Sequence, residues 1–213
     1  MESIAAILLA AGRSRRMGAF KPLLAFGDKT VIETCIENLR AAGIEEITVV
    51  VGHLADEIRA RLAHVNVRFA VNCDAESEMG ASIACGVDHT SQKAGAVLIA
   101  LADQPAIPPE IIRRLISERE RTGASLVLPQ WQGRGGHPVL IDLCYRDELL
   151  NLDAQKGLRA LLDDHPAHVL RVSVDSPYVA RDIDLWEDYR ALHEEVFGFS
   201  PPLLLPPPPI EQR

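Results

Sequence analysis

The sequence predicts an α/β fold of three layers, with helices on both faces of a mostly parallel central sheet. Two observations lead there. Apolar runs of strand length alternate with segments whose apolar residues recur three and four positions apart, the helical period. The strand-length runs are apolar almost throughout rather than at alternate residues, as strands covered on both faces require.

The elements follow in order. Ile4–Ala10 is the first apolar strand, and Val31–Ala42 the first helix, which Gly43 ends as a C-cap would. Glu46–Val51 is a strand, Asp56–Ala63 a helix, Val67–Val71 a strand and Ala81–Val87 a helix. Ala96–Leu101 is the next strand. Pro108-Pro109 opens the helix Glu110–Arg121, since proline is accepted in a first turn, and Ser125–Pro129 is a strand. Gly135–Asp184 mixes shorter elements and is expected to complete the sheet and form a substrate-facing lobe. Past Phe199, Ser200-Pro201-Pro202-Leu203-Leu204-Leu205 and four prolines cannot join a helix or a sheet interior. Residues 1–199 are therefore expected to form one domain and 200–213 a mobile, polyproline-like tail.

Composition narrows the function. At 213 residues, with 47% hydrophobic and 24% charged residues, the chain reads as an ordinary globular domain. A net charge of −8 argues against nucleic acid as a partner, because that footprint is a basic face. No apolar run reaches the ~20 residues that cross a bilayer. The opening run is short and has no basic front, so it reads as a buried strand and not a signal peptide, and a cytoplasmic location is expected. Cys35, Cys73, Cys85 and Cys144 have no paired spacing, which favours buried free thiols over zinc or a redox dithiol.

In such a sheet ligands sit at the carboxyl ends of the strands, so the loops after Ala10, Val71 and Leu101 are the places to search. After Ala10 come Ala11, Gly12, Arg13, Ser14, Arg15, Arg16, Met17, Gly18 and Lys21. Glycines let backbone N–H groups approach phosphate oxygens, and the cations neutralise charge that backbone dipoles alone cannot match. The spacing is neither that of the P-loop nor Gly-x-Gly-x-x-Gly. The loop reads as an anion site.

Leu-Ala-Ala-Gly-x-Ser-x-Arg-Met-Gly-x-x-Lys resembles the signature of nucleotidyltransferases that move NMP units to phosphorylated acceptors, and most closely that of the molybdenum cofactor cytidylyltransferase family. Asn72 with Gly80 and Ser82, Ala102-Asp103-Gln104-Pro105, Gly136-His137-Pro138-Val139-Leu140 and Asp182-Ile183-Asp184 match in the same order. Where that family usually reads Gly-Asp-x-Gly-Ala-Arg, this chain has Ala154-Gln155-Lys156-Gly157-Leu158-Arg159. Leu185-Trp186 replace Thr-Pro after Asp184.

The resemblance implies a Rossmann-like αβα nucleotidyltransferase fold. It implies Mg²⁺ held by Asp103 and Asp184, with Asp182 as an alternative to Asp184, and acceptor contacts from Gly136, His137 and Pro138. Arg16 and the loop amides of Leu9 to Gly18 suit the β and γ phosphates, and Lys21 the α phosphate. Asn72 and Ser82, with Gly80, are placed to read the base. Ala11 and Gln104 stand where related guanylyltransferases carry glycine and methionine, which favours a pyrimidine. The expected substrates are CTP and a phosphorylated pterin, with the product passed to a molybdoenzyme or maturation chaperone. Two readings stay open: the same transfer to a methylerythritol phosphate, sugar phosphate or phospholactate, and a carrier of the cofactor without turnover.

Overall fold

The computed structural model describes residues 3–14, 16–74, 78–153 and 156–202. Arg15, Ala154, Gln155 and the tail from Leu203 onward lie outside the described residues. So does the expectation of a mobile tail, apart from Ser200 to Pro202.

Among the described residues the main sheet runs from β1 (Ser3–Ala10) at its centre. A small hairpin, β2 (Ala25–Phe26) and β3 (Lys29–Thr30), leads into α1 (Val31–Ala41). Then come β4 (Glu46–Val51), α2 (Ala55–Arg61), β5 (Arg68–Val71), α3 (Met79–Asp88), β6 (Ala94–Leu101) and α4 (Pro109–Thr122). The remainder is β7 (Leu126–Trp131), β8 (Arg134–Gly135), β9 (Val139–Asp142), α5 (Arg146–Leu150), α6 (Leu158–Asp164), β10 (Val169–Ser173) and α7 (Trp186–Phe197).

The strand order is β10-β7-β9-β6-β1-β4-β5, with β8 paired to β7. β1 pairs in parallel with both β4 and β6, and β5 continues the parallel run beside β4. The exceptions are β9, antiparallel to β6 and to β7, and the short β8, antiparallel to β7. The expected α/β class, three layers and mostly parallel sheet are all present.

The layering follows from which side of each strand is buried. Ile7, Val50, Val97 and Ile99 point into one core with Ile83 and Val87 of α3 and Leu149 of α5. Their neighbours Leu8, Val49, Val51 and Leu98 point into the other, with Ile32 and Ile36 of α1, Leu115 of α4 and Leu192 of α7. Apolar side chains on both faces explain the continuous apolar runs.

Two expectations need correction. Only Cys35 is buried: Cys85 is half-buried, and Cys73 and Cys144 are exposed. The stretch 135–184 completes the sheet through β9 and β10 but forms no separate lobe over the site. Of its described residues, Asp182 alone lines the main cleft. No helix among the described residues is long and apolar enough to cross a membrane.

Candidate nucleotide-binding site

β1 is the strand at which the order reverses, with β4 on one side and β6 on the other. A crevice must open between the loops leaving its carboxyl end. A cleft of about 500 Å³ lies there, the size of a small-ligand pocket. Leu9, Ala10, Ala11, Gly12 and Ser14 line it from the first loop, Asn72 from the end of β5, Ser82 from α3 and Asp103 from the end of β6. Lys21 and Asp182 complete the set drawn from the sequence.

The first loop folds back on itself. The N–H groups of Met17 and Gly18 both donate to the Ser14 carbonyl, and the Lys21 N–H donates to Ser14 Oγ at 3.2 Å. This turn returns the chain to the cleft and delivers Lys21 into it. Met17 is 5% exposed and packs in the core, so it anchors the loop instead of meeting a ligand. Gly18, at φ +67, turns the chain outside the cleft.

The centre of the site is a chain of charges. Lys21 Nζ lies 3.2 Å from Asp103 Oδ2 and 2.8 Å from Asp184 Oδ1, and Arg16 holds the other Asp184 oxygen at 2.8 Å. The backbone arranges this. The Ile183 N–H donates to the Asp103 carbonyl at 3.2 Å, and the Ile183 side chain is buried, so Asp182 and Asp184 flank it near the β6 end. Asp184 is not a helix cap: Leu185 is the N-cap of α7, and Asp188 accepts the Leu185 N–H.

The two carboxylates sharing Lys21 shift in opposite directions. Burial, with the charges of Asp182 and Asp184, pushes Asp103 up despite Lys21. The Lys21 hydrogen bond pulls Asp184 down, helped by Arg16, because this carboxylate is more exposed and loses less hydration. Burial alone would lower Lys21, but the Asp184 hydrogen bond and the two carboxylate charges raise it.

Asp182 also lines the cleft, but its partner is Gln104 and not Lys21. Gln104 Nε2 donates to its Oδ1 at 2.6 Å, while Gln104 itself is 4% exposed and does not line the main cleft. The expectation that Gln104 helps select the base is therefore corrected: it orients Asp182. Asn72 Nδ2 donates to Ser82 Oγ at 2.9 Å, joining the β5 end to α3. Gly80 is buried on α3 outside the lining of the cleft, where a Cβ would make only ordinary contact with Leu152 Cβ at 3.4 Å.

Gly136, His137 and Pro138 also stand outside the main cleft. A Cβ at Gly136 would lie 1.9 Å from the Val179 carbonyl oxygen, and the His137 N–H donates to that carbonyl at 2.9 Å. Burial lowers the His137 pKa, against the charge of Asp182. This corner holds the chain ahead of Asp182 against the start of β9.

Arg13 of the anion loop lines the cleft too, and sequence reasoning gave no role to Pro22, Asp74, Glu78 or Met79, which also line it. The rule that ligands meet strand ends pointed to the loop after Val71, and Asp74 and Glu78 there were a signal left unused.

Asp103 and Asp184 present hard oxygen donors around one cation, which suits Mg²⁺ or Mn²⁺. Among the described residues no three His, Cys, Asp or Glu side chains gather to hold a metal alone. A divalent ion here would need further oxygens from phosphate or water.

A cleft at the switch point, with an anion loop on one wall and paired carboxylates on the other, defines a nucleotide-binding α/β protein. The MobA-like NTP transferase domain matches residues 6–171, and the chain belongs to that nucleotidyltransferase family. It is 30% identical over 197 residues to the nicotine blue oxidoreductase of Paenarthrobacter nicotinovorans, covering 89% of this chain and 96% of that protein. It is 37% identical over 132 residues to the bifunctional protein GlmU of Symbiobacterium thermophilum, covering 60% of this chain and 27% of that longer protein. Among solved structures, Rv0371c from Mycobacterium tuberculosis H37Rv matches with a TM-score of 0.81 at 30% identity, over 90% of this chain and 97% of that one. Its complex with manganese gives a TM-score of 0.77 at 28% identity, over 90% and 98%.

Proposed function

We propose that this chain moves CMP from CTP to the terminal phosphate of molybdopterin, or of its molybdenum-loaded form, and releases pyrophosphate. The observation that carries the reading is Lys21 held between Asp103 and Asp184 beside the Gly12–Ser14 loop. That arrangement supports the reading, because a triphosphate and its metal call for cations and hard oxygen ligands side by side.

The acceptor is a phosphate monoester whose second pKa is about 6, so it is already largely ionised at neutral pH. No general base is needed, and His137, half-buried and biased towards its neutral form, does not act as one. The residues act by position and charge. Gly12, Ser14 and the loop amides cradle the triphosphate, and Lys21 and Arg16 neutralise its charge. Asp103 and Asp184 would hold Mg²⁺, which when bound would supply positive charge against the triphosphate and the departing pyrophosphate. Asp182 is oriented by Gln104 beside them as the alternative ligand. Ala11, Asn72 and Ser82 line the same cleft and are assigned to the base. Gly136, His137 and Pro138 are assigned to the acceptor side, where the corner they form with Val179 leads to Asp182. In the cytoplasm the dinucleotide product would pass to a molybdoenzyme or its maturation partner.

The likeness to a nicotine blue oxidoreductase supports a second reading, a redox activity in this cleft. Pyrophosphate release from each of the four nucleotides, with molybdopterin and Mg²⁺ or Mn²⁺, separates the two. The expected result is release from CTP that depends on the acceptor and falls at least about a hundredfold in Asp103→Ala. No release from any nucleotide, with dye reduction by NADH instead, would replace the transfer reading with the redox one.

A further inference from the structure

We propose that Lys21 is the resident counter-ion of the metal site, excluding a divalent ion until a triphosphate draws the lysine away. This inference rests on the reading of the cleft as a metal–nucleotide site.

The charge balance supports it. Two carboxylates, Asp103 and Asp184, meet two cations, Lys21 and Arg16, at 2.8 to 3.2 Å, so these four side chains balance one another before any ligand arrives, with Asp182 beside them. The Lys21 side chain is only 11% exposed, and its ammonium occupies the point at which both carboxylates converge. A divalent ion bonding the same two oxygens would sit against that ammonium and leave the cluster with an excess of two positive charges in a partly desolvated place. A triphosphate supplies the missing negative charge and a new partner for the ammonium. The Lys21 backbone is tied to Ser14 Oγ in the phosphate-side loop, while four methylenes let the ammonium swing. Metal and nucleotide therefore enter as a unit, and metal alone binds weakly.

The test is Mn²⁺ binding to the full chain, read from the EPR signal of the free ion, with and without CTP or GTP. The wild type should bind Mn²⁺ weakly alone and roughly tenfold or more tightly with nucleotide. Lys21→Met should tighten nucleotide-free binding roughly tenfold, whereas Lys21→Arg, which keeps the charge, should stay weak. Melting temperatures check that the variants fold, with Lys21→Gln as the second neutral variant. Equal Mn²⁺ affinity in wild type and both neutral variants, with nucleotide still recruiting the ion, overturns this inference alone. No Mn²⁺ bound by any form, nucleotide included, overturns the metal–nucleotide reading and this inference with it.

Discussion

Two glycine-bearing segments, Gly12–Gly18 and Gly136–Pro138, look equally like motifs in the sequence, yet the structure uses them oppositely. A Cβ added at Gly12 would meet nothing within 4 Å, because the space beside it belongs to the cleft. A Cβ added at Gly136 would collide with the backbone of Val179. The first glycine leaves room for something absent from the chain itself, and the second for a neighbouring segment that is always there. A glycine with empty space beside it at a strand's carboxyl end is a ligand signal, whereas a glycine pressed on backbone is a folding signal.

The largest effect that can break this contrast is in stability. Gly136→Ala should cost about 3 kcal/mol or more, since neither the Val179 carbonyl nor the His137 N–H bonded to it can yield cheaply. Gly12→Ala should change stability by less than about 1 kcal/mol and yet weaken triphosphate binding by roughly tenfold or more, as the methyl fills the cradle. Urea denaturation paired with nucleotide titration reads both. A Gly136→Ala protein as stable as wild type would dissolve the distinction.

The same contrast marks what the sequence made legible. Strands and helices out to β7 could be read within a residue or two, because apolar periodicity is local: the expected Val31–Ala42 is Val31–Ala41, and Ala96–Leu101 is Ala94–Leu101. The short elements β2, β3, β8, α5 and α6 carry too few residues to show a period. The loop after β1 was visible as an anion site because its glycines and cations are adjacent in the chain. That Lys21 would be clasped by Asp184, 163 positions away, was not visible, nor that Val179 makes Gly136 obligatory. Met17 misled because the turn at Ser14 rotates it inward, a consequence of backbone hydrogen bonds that residue types do not announce.

A smaller effect sharpens the reading of the corner as structural. Burial holds the His137 pKa below the usual value near 6.5, opposed by Asp182, so the folded state disfavours the protonated ring. As pH falls below about 6.5 the unfolded chain takes up the proton first, and stability drains away until the depressed folded pKa is reached. His137→Ala should cost about 2 kcal/mol at pH 8, from the cavity it leaves, and the gap to wild type should narrow on acidification. Denaturation midpoints at pH 8 and pH 5.5 measure this. A gap that widens in acid would mean that the ring is held charged, and would return His137 to the candidates for work on the acceptor.

The smallest effect concerns the base, and the contrast between open and buried positions reshapes it. Two residues suggested a pyrimidine, Ala11 and Gln104. Gln104 is buried and bonded to Asp182, so it cannot meet a base, whereas Ala11 lines the cleft. Selectivity by size thus rests on one methyl group, that of Ala11. Ala11→Gly should therefore raise the use of GTP relative to CTP by about fourfold, the effect of roughly 0.8 kcal/mol for one buried methyl-sized group. Competition between the two nucleotides in a single reaction is the measurement suited to so small a ratio. If the ratio does not move, base choice lies with Asn72, Ser82 and the acidic pair Asp74 and Glu78 at the far wall of the cleft. The cytidine reading would then have to be argued from hydrogen-bonding patterns there instead of from size.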